Sequence, residues 1–371
     1  MTPACFDLDA LDPQLQRHCG ITDLPDWNGW AAGLLARAGS AVGPCPPPLL
    51  HRFALPLLQR LQRLRQQGQR PVIGLNGPVG AGKSSLAAAL LQLAPALGID
   101  LAVASIDDFY RPWQERCRAM AGNPFGVTRV PPGSHDPALL QAVLADWRAG
   151  APLRLPRFDK TLQGGEGDRC GERVLAADAL VLEGWLLGCR PLGAEALALA
   201  LQAEVEMVAA ERTTGDRSVS GGSWWASLSP AERAWLPRWD RELQAYQGAW
   251  QLIDELWLLR PQHWGLPRRW RFQAEARQRR RCRVAGQEQG WLAPAALDAL
   301  VRSSLCSLPP ALYQQPLALA AGAPGDGGQH KGIQHKGSQH KTIQPCPTVV
   351  EARLDGRRRL LAVQCRDSAV G

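Results

Sequence analysis

The sequence is poor in lysine, methionine and tyrosine, and it lacks closely spaced cysteines. Of its 371 residues, three are Met and three are Tyr, and five of the 42 basic residues are Lys, which leaves 37 Arg. The ten cysteines show no Cys-x-x-Cys spacing, so we expect reduced thiols and no zinc site. No window of about 18 residues is apolar and free of charge, which argues against a membrane span. Met1 to Leu11 carries acids but no Lys or Arg, unlike a signal or transit peptide, and this predicts a cytoplasmic protein.

The composition is that of a large folded protein. Hydrophobic residues make up 45% of the chain, which excludes a disordered tail, a collagen-like fibre and a disulfide-stabilised mini-protein. The formal net charge of +8 allows acidic partners, but it is too diluted to indicate nucleic acid or lipid. We therefore expect neither a nucleic acid nor a membrane as partner, and the sequence leaves the oligomeric state open.

Short apolar runs alternate with helical patterns from residue 71 onward. The run from Ser84 to Leu93 has the Ala/Leu pattern of a helix. Four runs are typical of buried strands, namely Pro71–Asn76, Leu101–Ile106, Ala179–Leu182 and Leu256–Leu259. Strands that alternate with helices predict an α/β fold with a mostly parallel sheet flanked by helices.

The chain divides into a long core with shorter segments at both ends. We expect an N-terminal helical segment over 1–70, in which a helix runs from Pro56 to about Gly68, and a core over 71–320. Eight of the fourteen Trp fall between Trp224 and Trp270, and tryptophans at such spacing favour packing in the core over ligand stacking.

The C-terminal part contains two further patterns. A Gly-rich stretch is followed by a five-residue repeat, Gln329-His330-Lys331 and two copies of it, which predicts a low-complexity linker over 321–345. The final segment, 346–371, alternates apolar residues around Asp355-Gly356, which is typical of a β-hairpin.

One motif carries a definite chemistry, because it follows a predicted strand and opens a predicted helix. It matches the phosphate loop G-x-x-x-x-G-K-[ST] and reads Gly77-Pro78-Val79-Gly80-Ala81-Gly82-Lys83-Ser84. Its glycines let backbone amides converge on the phosphates of a nucleoside triphosphate, and the helix N-terminus adds partial positive charge. Lys83 is predicted to hold the outer phosphates, Ser84 to ligate Mg²⁺, and Ser85 to complete the nucleotide site.

Acidic residues follow two other predicted strands at the edge of the sheet where ligands bind. Asp107 and Asp108 come after the second strand, and Glu183 ends the third in the sequence Leu-Glu-Gly-Trp. Phosphoryl transfer to an alcohol needs an acceptor for the hydroxyl proton, and Asp107 is the candidate base. Glu183 resembles the Walker-B acid that holds Mg²⁺. The alternative is that Asp107 or Asp108 caps the next helix.

Polar clusters between these strands are predicted to lie in loops and to hold a small acceptor. They contain His135, Asp136, Arg157, Asp159, Lys160 and Arg169, with Asp108 as a further candidate. Arg157 and Lys160 suit a carboxylate, and Arg favours a bidentate contact. For His135, a structural role and a role in holding the acceptor are both left open.

The run from Arg268 to Arg283 holds eight Arg and one acid, Glu275. It predicts a solvated helix face, a nucleic-acid patch, or in a kinase a lid over the triphosphate, with Arg271 and Arg277 as the ATP-binding arginines.

Taken together, these motifs resemble one known family. GPVGAGKS, SIDDFY, GSHD, LPRFDK, GGEGDR, LEGW and WRFQAEA stand in the order found in the D-glycerate 3-kinases of plants and cyanobacteria. That family belongs to the phosphoribulokinase/uridine kinase group of P-loop kinases, and the resemblance runs from about Pro71 to Tyr313. It implies a P-loop kinase fold and an enzyme that uses ATP and Mg²⁺ to phosphorylate the 3-hydroxyl of D-glycerate, giving 3-phosphoglycerate in photorespiratory salvage.

The resemblance also assigns roles to single residues. Asp107 matches the D-x-F-Y acid that serves as base in related kinases, and Glu183 matches the Walker-B position. Residues 195–240 and the Gln-His-Lys repeat match nothing in the family pattern, so 195–240 is predicted to be an insertion. In a kinase of this group, the Arg run over 268–283 is predicted to form the lid.

Two alternatives stay open. Within the same group, the chain resembles a phosphoribulokinase, a pantothenate kinase or a nucleoside kinase in its main motifs. In another class, an NTP-binding protein without catalytic activity could use the Arg run to bind nucleic acid.

Overall fold

A computed structural model describes residues 11–39, 43, 45–214, 227–284, 292–319 and 348–367 of the chain. The predicted linker over 321–345, its Gln-His-Lys repeat and the tryptophan pair Trp224 and Trp225 lie outside the described residues.

A six-stranded, mostly parallel sheet forms the centre of the described part. Its strand order is β2-β5-β1-β6-β7-β8, and only the pair β7–β8 is antiparallel. The strands are β1 (Val72–Asn76), β2 (Leu101–Ser105), β5 (Ala179–Gly184), β6 (Glu255–Pro261), β7 (Thr348–Leu354) and β8 (Leu360–Asp367). The four predicted parallel strands and the predicted terminal hairpin are thus confirmed, as is the α/β class.

The central strand β1 is buried along its whole length because helices cover both faces of the sheet. Ile73 and Leu75 point into a core with the N-terminal helices, whereas Val72 points into a second core on the opposite face. Such burial on both sides explains why the strand reads as a continuous apolar run.

The described part of the chain contains fourteen α-helices. The first five are α1 (Pro13–Cys19), α2 (Leu24–Ala38), α3 (Pro47–Leu49), α4 (Leu55–Gln66) and α5 (Lys83–Leu93), with a π-helical turn (Leu50–Ala54) between α3 and α4. The next five are α6 (Trp113–Ala119), α7 (Pro137–Arg148), α8 (Ala194–Thr214), α9 (Pro230–Glu242) and α10 (Gln247–Trp250). The last four are α11 (Leu266–Val284), α12 (Pro294–Cys306), α13 (Pro310–Tyr313) and α14 (Gln315–Leu319). The predicted helices at Pro56 and Ser84 are confirmed as α4 and α5.

The helices at the N-terminus are fastened to the sheet by one buried acid. Glu255, at the start of β6, accepts a hydrogen bond from Nε of Arg60 on α4 at 2.6 Å and lies 3.0 Å from Nε2 of His18 on α1. The Trp257 indole also donates to this carboxylate at 3.2 Å. Burial raises the pKa of Glu255, but His18 and Arg60 outweigh burial and lower it.

The segments around Lys160 and Arg169 differ from the expectation. The sequence predicts loops, but the structure forms an antiparallel hairpin from β3 (Leu153–Asp159) and β4 (Asp168–Leu175) beside the main sheet. The loop prediction is therefore wrong for Leu155–Asp159, which lies in β3, and for Asp168 and Arg169, which begin β4. Only Lys160 and the residues up to Gly167 form the connection between the two strands.

Buried tryptophans support the packing prediction. Trp239, Trp257 and Trp270 have no exposed surface, and Trp250 is 7% exposed. Among the described residues, no helix is both long enough and apolar enough to span a bilayer.

Candidate active site

The phosphate loop lies between the end of β1 and the start of α5. Its lysine is folded back onto the loop, because Nζ of Lys83 donates to the carbonyl of Gly77 at 2.8 Å and to that of Pro78 at 3.3 Å. Lys83 Nζ is also 3.8 Å from a carboxylate oxygen of Glu183 at the end of β5. Burial lowers the pKa of Lys83, while Glu183 and Asp107 oppose this shift. The lysine thus stands between the loop and the acids of the neighbouring strands.

The middle of the loop is pressed against α11. Gly80 has a positive φ of 76°, and a Cβ added there would lie 2.7 Å from the backbone nitrogen of Arg271 and 2.8 Å from the carbonyl carbon of Trp270. Only glycine fits this close backbone contact without displacement. The first turns of α11 therefore form a wall of the phosphate loop.

The candidate base is held in an ion pair. Nζ of Lys160, in the β3–β4 connection, lies 2.7 Å from Oδ2 of Asp107, which follows β2. Burial raises the pKa of Asp107, but Lys160 lowers it by more, and a hydrogen bond from the Tyr110 hydroxyl lowers it further. The pKa of Asp107 therefore lies well below the usual range. Asp107 is therefore an ionised carboxylate, as a proton acceptor must be. The sequence alone does not reveal that Lys160 contacts this acid.

Asp108 has the capping role that the sequence leaves as an alternative. Its carboxylate accepts from the amide of Ser105 at 3.2 Å, while the Ser105 hydroxyl accepts from the amide of Asp107 at 3.3 Å. The pair forms a capping box on the 3-10 helix Ile106–Phe109. Burial raises the pKa of Asp108. This cap fixes the backbone that presents Asp107.

The residues expected to hold Mg²⁺ suit that ion by their chemistry. Ser84 is exposed on the first turn of α5, and Glu183 is close to Lys83 on the neighbouring strand. A hydroxyl and a carboxylate oxygen are hard ligands, and Mg²⁺ usually binds through one or two such groups together with substrate phosphates. Burial raises the pKa of Glu183, and Lys83 partly offsets it.

His135 is buried next to the candidate base and carries an unused ring nitrogen. Its ring stacks on Tyr110 with the centroids 4.3 Å apart, and Nδ1 lies 3.0 Å from the hydroxyl of Tyr246. Because that hydroxyl already accepts from the amide of Gly133 at 3.2 Å, we assign its proton to the bond with Nδ1. Burial lowers the pKa of His135 to about 4, so the ring is neutral and Nε2 carries the hydrogen. Nε2 is buried and has no hydrogen-bond partner in the described part of the chain.

Asp136 and Arg169 are paired with each other. Nη2 of Arg169 donates to Asp136 at 3.0 Å, and its Nε donates to the carbonyl of Tyr110 at 2.7 Å. Asp136 also caps α7 by accepting from the amide of Leu139 at 3.1 Å. Both side chains thus hold the His135 loop against β4. Their predicted contact with an acceptor stays a prediction.

The structure does not bring Arg157 and Asp159 into the cluster. Arg157 is an exposed residue of β3, and Asp159 accepts from the amide of Thr161 at 2.8 Å and from its hydroxyl at 2.6 Å. None of the described hydrogen bonds or ion pairs joins either of them to Asp107, Lys160 or the phosphate loop. Their assignment as substrate-binding residues therefore gains no support from the geometry.

Arg129 is a residue that the motifs do not point to. It is 8% exposed, its Nη1 is buried without a hydrogen-bond partner, and no described acid forms an ion pair with it. Its charge is close enough to affect the pKa of Tyr110, whose ring stacks on His135. The next residue, Val130, has a φ of 91°, a strained conformation for a β-branched side chain. The only sequence signal is the position of Arg129 a few residues before the Gly133-Ser134-His135-Asp136 motif.

The two arginines predicted to bind ATP lie on α11. Arg271 contacts the phosphate loop through its backbone, while its Nη2 pairs with Glu275 at 3.1 Å. Arg277 is exposed two turns further along the helix. The roles of both in ATP binding and the motion of a lid stay predictions.

Sequence comparison finds kinases. No protein-family model matches the chain. Over 231 residues the chain is 29% identical to an uncharacterized kinase of Schizosaccharomyces pombe, which covers 59% of this chain and 75% of that protein. Over 217 residues it is 27% identical to the chloroplastic D-glycerate 3-kinase of Arabidopsis thaliana, which covers 55% of this chain but only 41% of the plant enzyme.

Structural comparison extends over nearly the whole chain. A D-glycerate 3-kinase from Cryptococcus neoformans matches with a TM-score of 0.56 at 21% identity, covering 94% of this chain and 98% of that one. The chain has a P-loop kinase fold. The resemblance to the D-glycerate 3-kinase group that the motifs indicate is confirmed by these relatives. The matched segment spans less than half of the plant enzyme.

Proposed function

We propose that the protein is an ATP-dependent kinase that phosphorylates the 3-hydroxyl of D-glycerate to give 3-phosphoglycerate. The observation that carries the proposal is the row of charges at the carboxyl edge of the sheet. Lys83 lies 3.8 Å from Glu183, and Asp107 lies 2.7 Å from Lys160. The similarity to a plant enzyme named D-glycerate 3-kinase supports the choice of acceptor.

The nucleotide would be held by the phosphate loop. Backbone amides of Gly77 to Ser84 and the ammonium of Lys83 would bind the phosphates, for which Lys83 must leave the carbonyls of Gly77 and Pro78. Ser84 and Glu183 are the residues that would hold Mg²⁺. The chemistry that this ion supplies in such kinases is neutralisation of the charge on the phosphate oxygens.

Asp107 would accept the proton of the acceptor hydroxyl. As the hydroxyl oxygen bonds to the γ-phosphorus, the bond from that phosphorus to the β-γ bridging oxygen breaks, and ADP leaves with that oxygen. The proton of the hydroxyl passes to Asp107. Lys160 keeps this carboxylate ionised, and we infer that it turns toward the acceptor carboxylate or the moving phosphoryl group when both substrates are bound.

Two buried groups are suited to orient the acceptor. The Nε2–H of His135 can donate to an acceptor hydroxyl, because the network around Tyr246 fixes the ring and leaves that nitrogen without a partner in the described region. The guanidinium of Arg129 is buried without an acid partner among the described residues, and a carboxylate would satisfy it. We propose Arg129 rather than Arg157 as the residue that binds the glycerate carboxylate.

The decisive experiment is a coupled assay of ADP formation with four acceptors in parallel. D-glycerate, ribulose 5-phosphate, pantothenate and uridine are each offered with ATP and Mg²⁺. We expect kcat/KM to be highest for D-glycerate, with 3-phosphoglycerate as product. A higher value for another acceptor would move the protein to that branch of the group. Activity with none of the four, together with salt-sensitive binding of nucleic acid, would favour the regulatory alternative.

The base assignment is tested by Asp107→Asn. The amide keeps the shape of the side chain but cannot accept the proton, so kcat should fall by about a hundredfold or more. ATP affinity, measured by isothermal titration, should change little. Near-normal turnover with intact ATP binding would show that Asp107 is not the base.

We also propose that the enzyme acts in photorespiratory salvage and that it is located in the cytoplasm. Both concern the cell rather than the site, and measurements in the source organism would test them.

A further inference from the structure

The turn of the C-terminal hairpin reaches the phosphate loop. Nη1 of Arg358, between β7 and β8, donates to the carbonyl of Gly80 at 3.2 Å. Arg358 has a φ of 63°, the left-handed region that a residue with a side chain occupies at a cost. A strained arginine placed against a nucleotide-binding loop points to a function.

The turn is rigid enough to place this side chain. The carboxylate of Asp355 accepts from the amides of Arg357 and Arg359, each at 2.8 Å, and pairs with Nε of Arg359 at 2.7 Å. From the outside, the indole of Trp270 on α11 donates to the carbonyl of Gly356 at 3.1 Å. Since the backbone at Trp270 also touches Gly80, one helix fixes the turn and the loop together.

The one acid in this turn, Asp355, pairs with Arg359, and no described carboxylate forms an ion pair with Arg358. The bond to Gly80 uses one of the five donors of the Arg358 guanidinium, and no described residue offers it a carboxylate. Arg277 of α11 is close enough to act on it, because burial first and the charge of Arg277 second lower the pKa of Arg358. Arg277 likewise has no ion pair within the described ranges. A half-buried guanidinium that contacts the phosphate loop and has no described acid partner is suited to bind an anion.

The strand order gives the direction in which a nucleotide would lie. Along the carboxyl edge, Asp107 and Glu183 follow β2 and β5, the loop follows β1, and Arg358 follows β7 on the far side of β6. A γ-phosphate that faces Asp107 leaves the nucleoside end of ATP on the side of β6 and β7. Arg358 therefore lies on the side of the loop away from Asp107 and the reacting γ-phosphate.

We propose that Arg358 binds a phosphate of a nucleoside di- or triphosphate on the side of the loop opposite the acceptor. This inference rests on the proposed function only for the direction of the nucleotide. It adds the C-terminal hairpin to the nucleotide site and makes Arg358 a residue for nucleotide affinity rather than for the chemical step.

The test is the variant Arg358→Gly, with Arg357→Gly as matched control. Glycine accepts the positive φ, so the turn keeps its shape while the guanidinium is lost. Arg357 belongs to the same turn, is exposed and carries the same charge. We expect ATP and ADP to bind roughly tenfold more weakly or worse to Arg358→Gly, and within about twofold of the original affinity to Arg357→Gly. Equal affinities for the two variants would overturn the inference.

Further measurements separate a phosphate contact from a merely structural effect. Isothermal titration with ATP at increasing salt should show a shallower salt dependence for Arg358→Gly than for Arg357→Gly, because a direct charge contact has been removed. Thermal unfolding without nucleotide should be unchanged or raised in Arg358→Gly, since strain is relieved. A lowered unfolding temperature with an unchanged salt dependence would assign Arg358 to structure alone.

Failure of this inference is distinguishable from failure of the proposed function. Nucleotide titrations need no acceptor, so a loss of affinity in Arg358→Gly supports the inference even if D-glycerate is not phosphorylated. Conversely, if D-glycerate is the acceptor and the KM for ATP of Arg358→Gly equals that of the unaltered protein, the kinase assignment stands and the inference falls.

Discussion

At the level of single residues, the ion pair between Lys160 and Asp107 controls how the candidate base titrates. Lys160→Met removes the ammonium that holds the pKa of Asp107 below its usual range. The pKa should then rise, so the acid limb of the kcat/KM profile should move to higher pH by roughly one unit. Lys160→Arg keeps the charge and should keep the limb in place, even though the bulkier group lowers the rate. An unchanged limb in Lys160→Met would separate Lys160 from the base.

A second prediction at this scale compares two arginines. Arg129→Gln should raise the KM for D-glycerate about tenfold or more and leave the KM for ATP unchanged, because a buried guanidinium–carboxylate contact is lost. Arg157→Gln, on the exposed face of β3, should have little effect. Steady-state kinetics with each substrate varied in turn measures both. The reverse order of effects would return the carboxylate contact to Arg157.

The motif residues of the candidate site are predictable because each belongs to a recognisable sequence pattern. Lys83 belongs to a glycine-rich loop, and Asp107 and Glu183 each end an apolar strand. Arg129 and Arg358 have no such pattern around them. Each is one arginine among 37, and only burial or a contact across the sheet sets them apart.

At the level of elements, the contact between the phosphate loop and α11 gives a stability prediction. Gly80→Ala places a Cβ 2.7 Å from the Arg271 nitrogen in addition to the strain of a positive φ, so the free energy of unfolding should fall by roughly 2–3 kcal/mol. Gly82→Ala is the control, because Gly82 also has a positive φ but its Cβ would meet no atom within 4 Å. Its cost should be limited to about 1 kcal/mol of backbone strain. Urea denaturation measures the free energy of unfolding of both variants. Equal losses would mean that α11 moves away from the added Cβ at little energetic cost.

The β3–β4 hairpin shows why some elements escape prediction. β3 starts with the inward residues Leu153 and Leu155, but Pro156 interrupts the alternation and the register shifts there. β4 is exposed along most of its length and contains Gly171, so its sequence lacks the alternating apolar residues by which a strand is recognised. Besides the buried Leu153 and Leu155, polar contacts from a distant segment hold this hairpin, since the buried Arg116 donates to the carbonyls of Glu166 at 2.9 Å and Gly167 at 2.6 Å. Such contacts between distant segments produce no periodic pattern of residues in the sequence.

At the scale of the whole molecule, Glu255 joins the N-terminal helices to the sheet. Glu255→Gln removes the charge that faces Arg60 and His18 in a buried position, and the free energy of unfolding should fall by roughly 3 kcal/mol. The folded pKa of Glu255 is lowered, so its contribution is complete above the usual glutamate value near 4.5 and is lost as pH falls through the folded pKa. Denaturation below pH 4.5 should therefore show a smaller difference between the two proteins than at pH 7. A difference that does not depend on pH would exclude this charge as the cause.

The order of strands is the part of the architecture that the sequence could not supply. Each parallel strand is recognisable alone, but nothing in its residues states that β5 and β6 flank β1 while β2 lies outside. That order depends on which helix covers which face. For the same reason, the approach of the hairpin turn to the phosphate loop becomes visible only when β7 is placed beside β6.

This strand order also bears on how the protein folds. The central strand β1 pairs with β5 and β6, whose first partners, Leu180 and Glu255, follow Val72 and Ile73 by more than a hundred residues in each case. Long loops must close before these pairings form, which makes folding slow. Because the phosphate loop follows β1, we expect it to bind nucleotide only after β5 and β6 have paired with β1. Nucleotide should therefore retard unfolding of the finished protein and leave the rate of its formation unchanged.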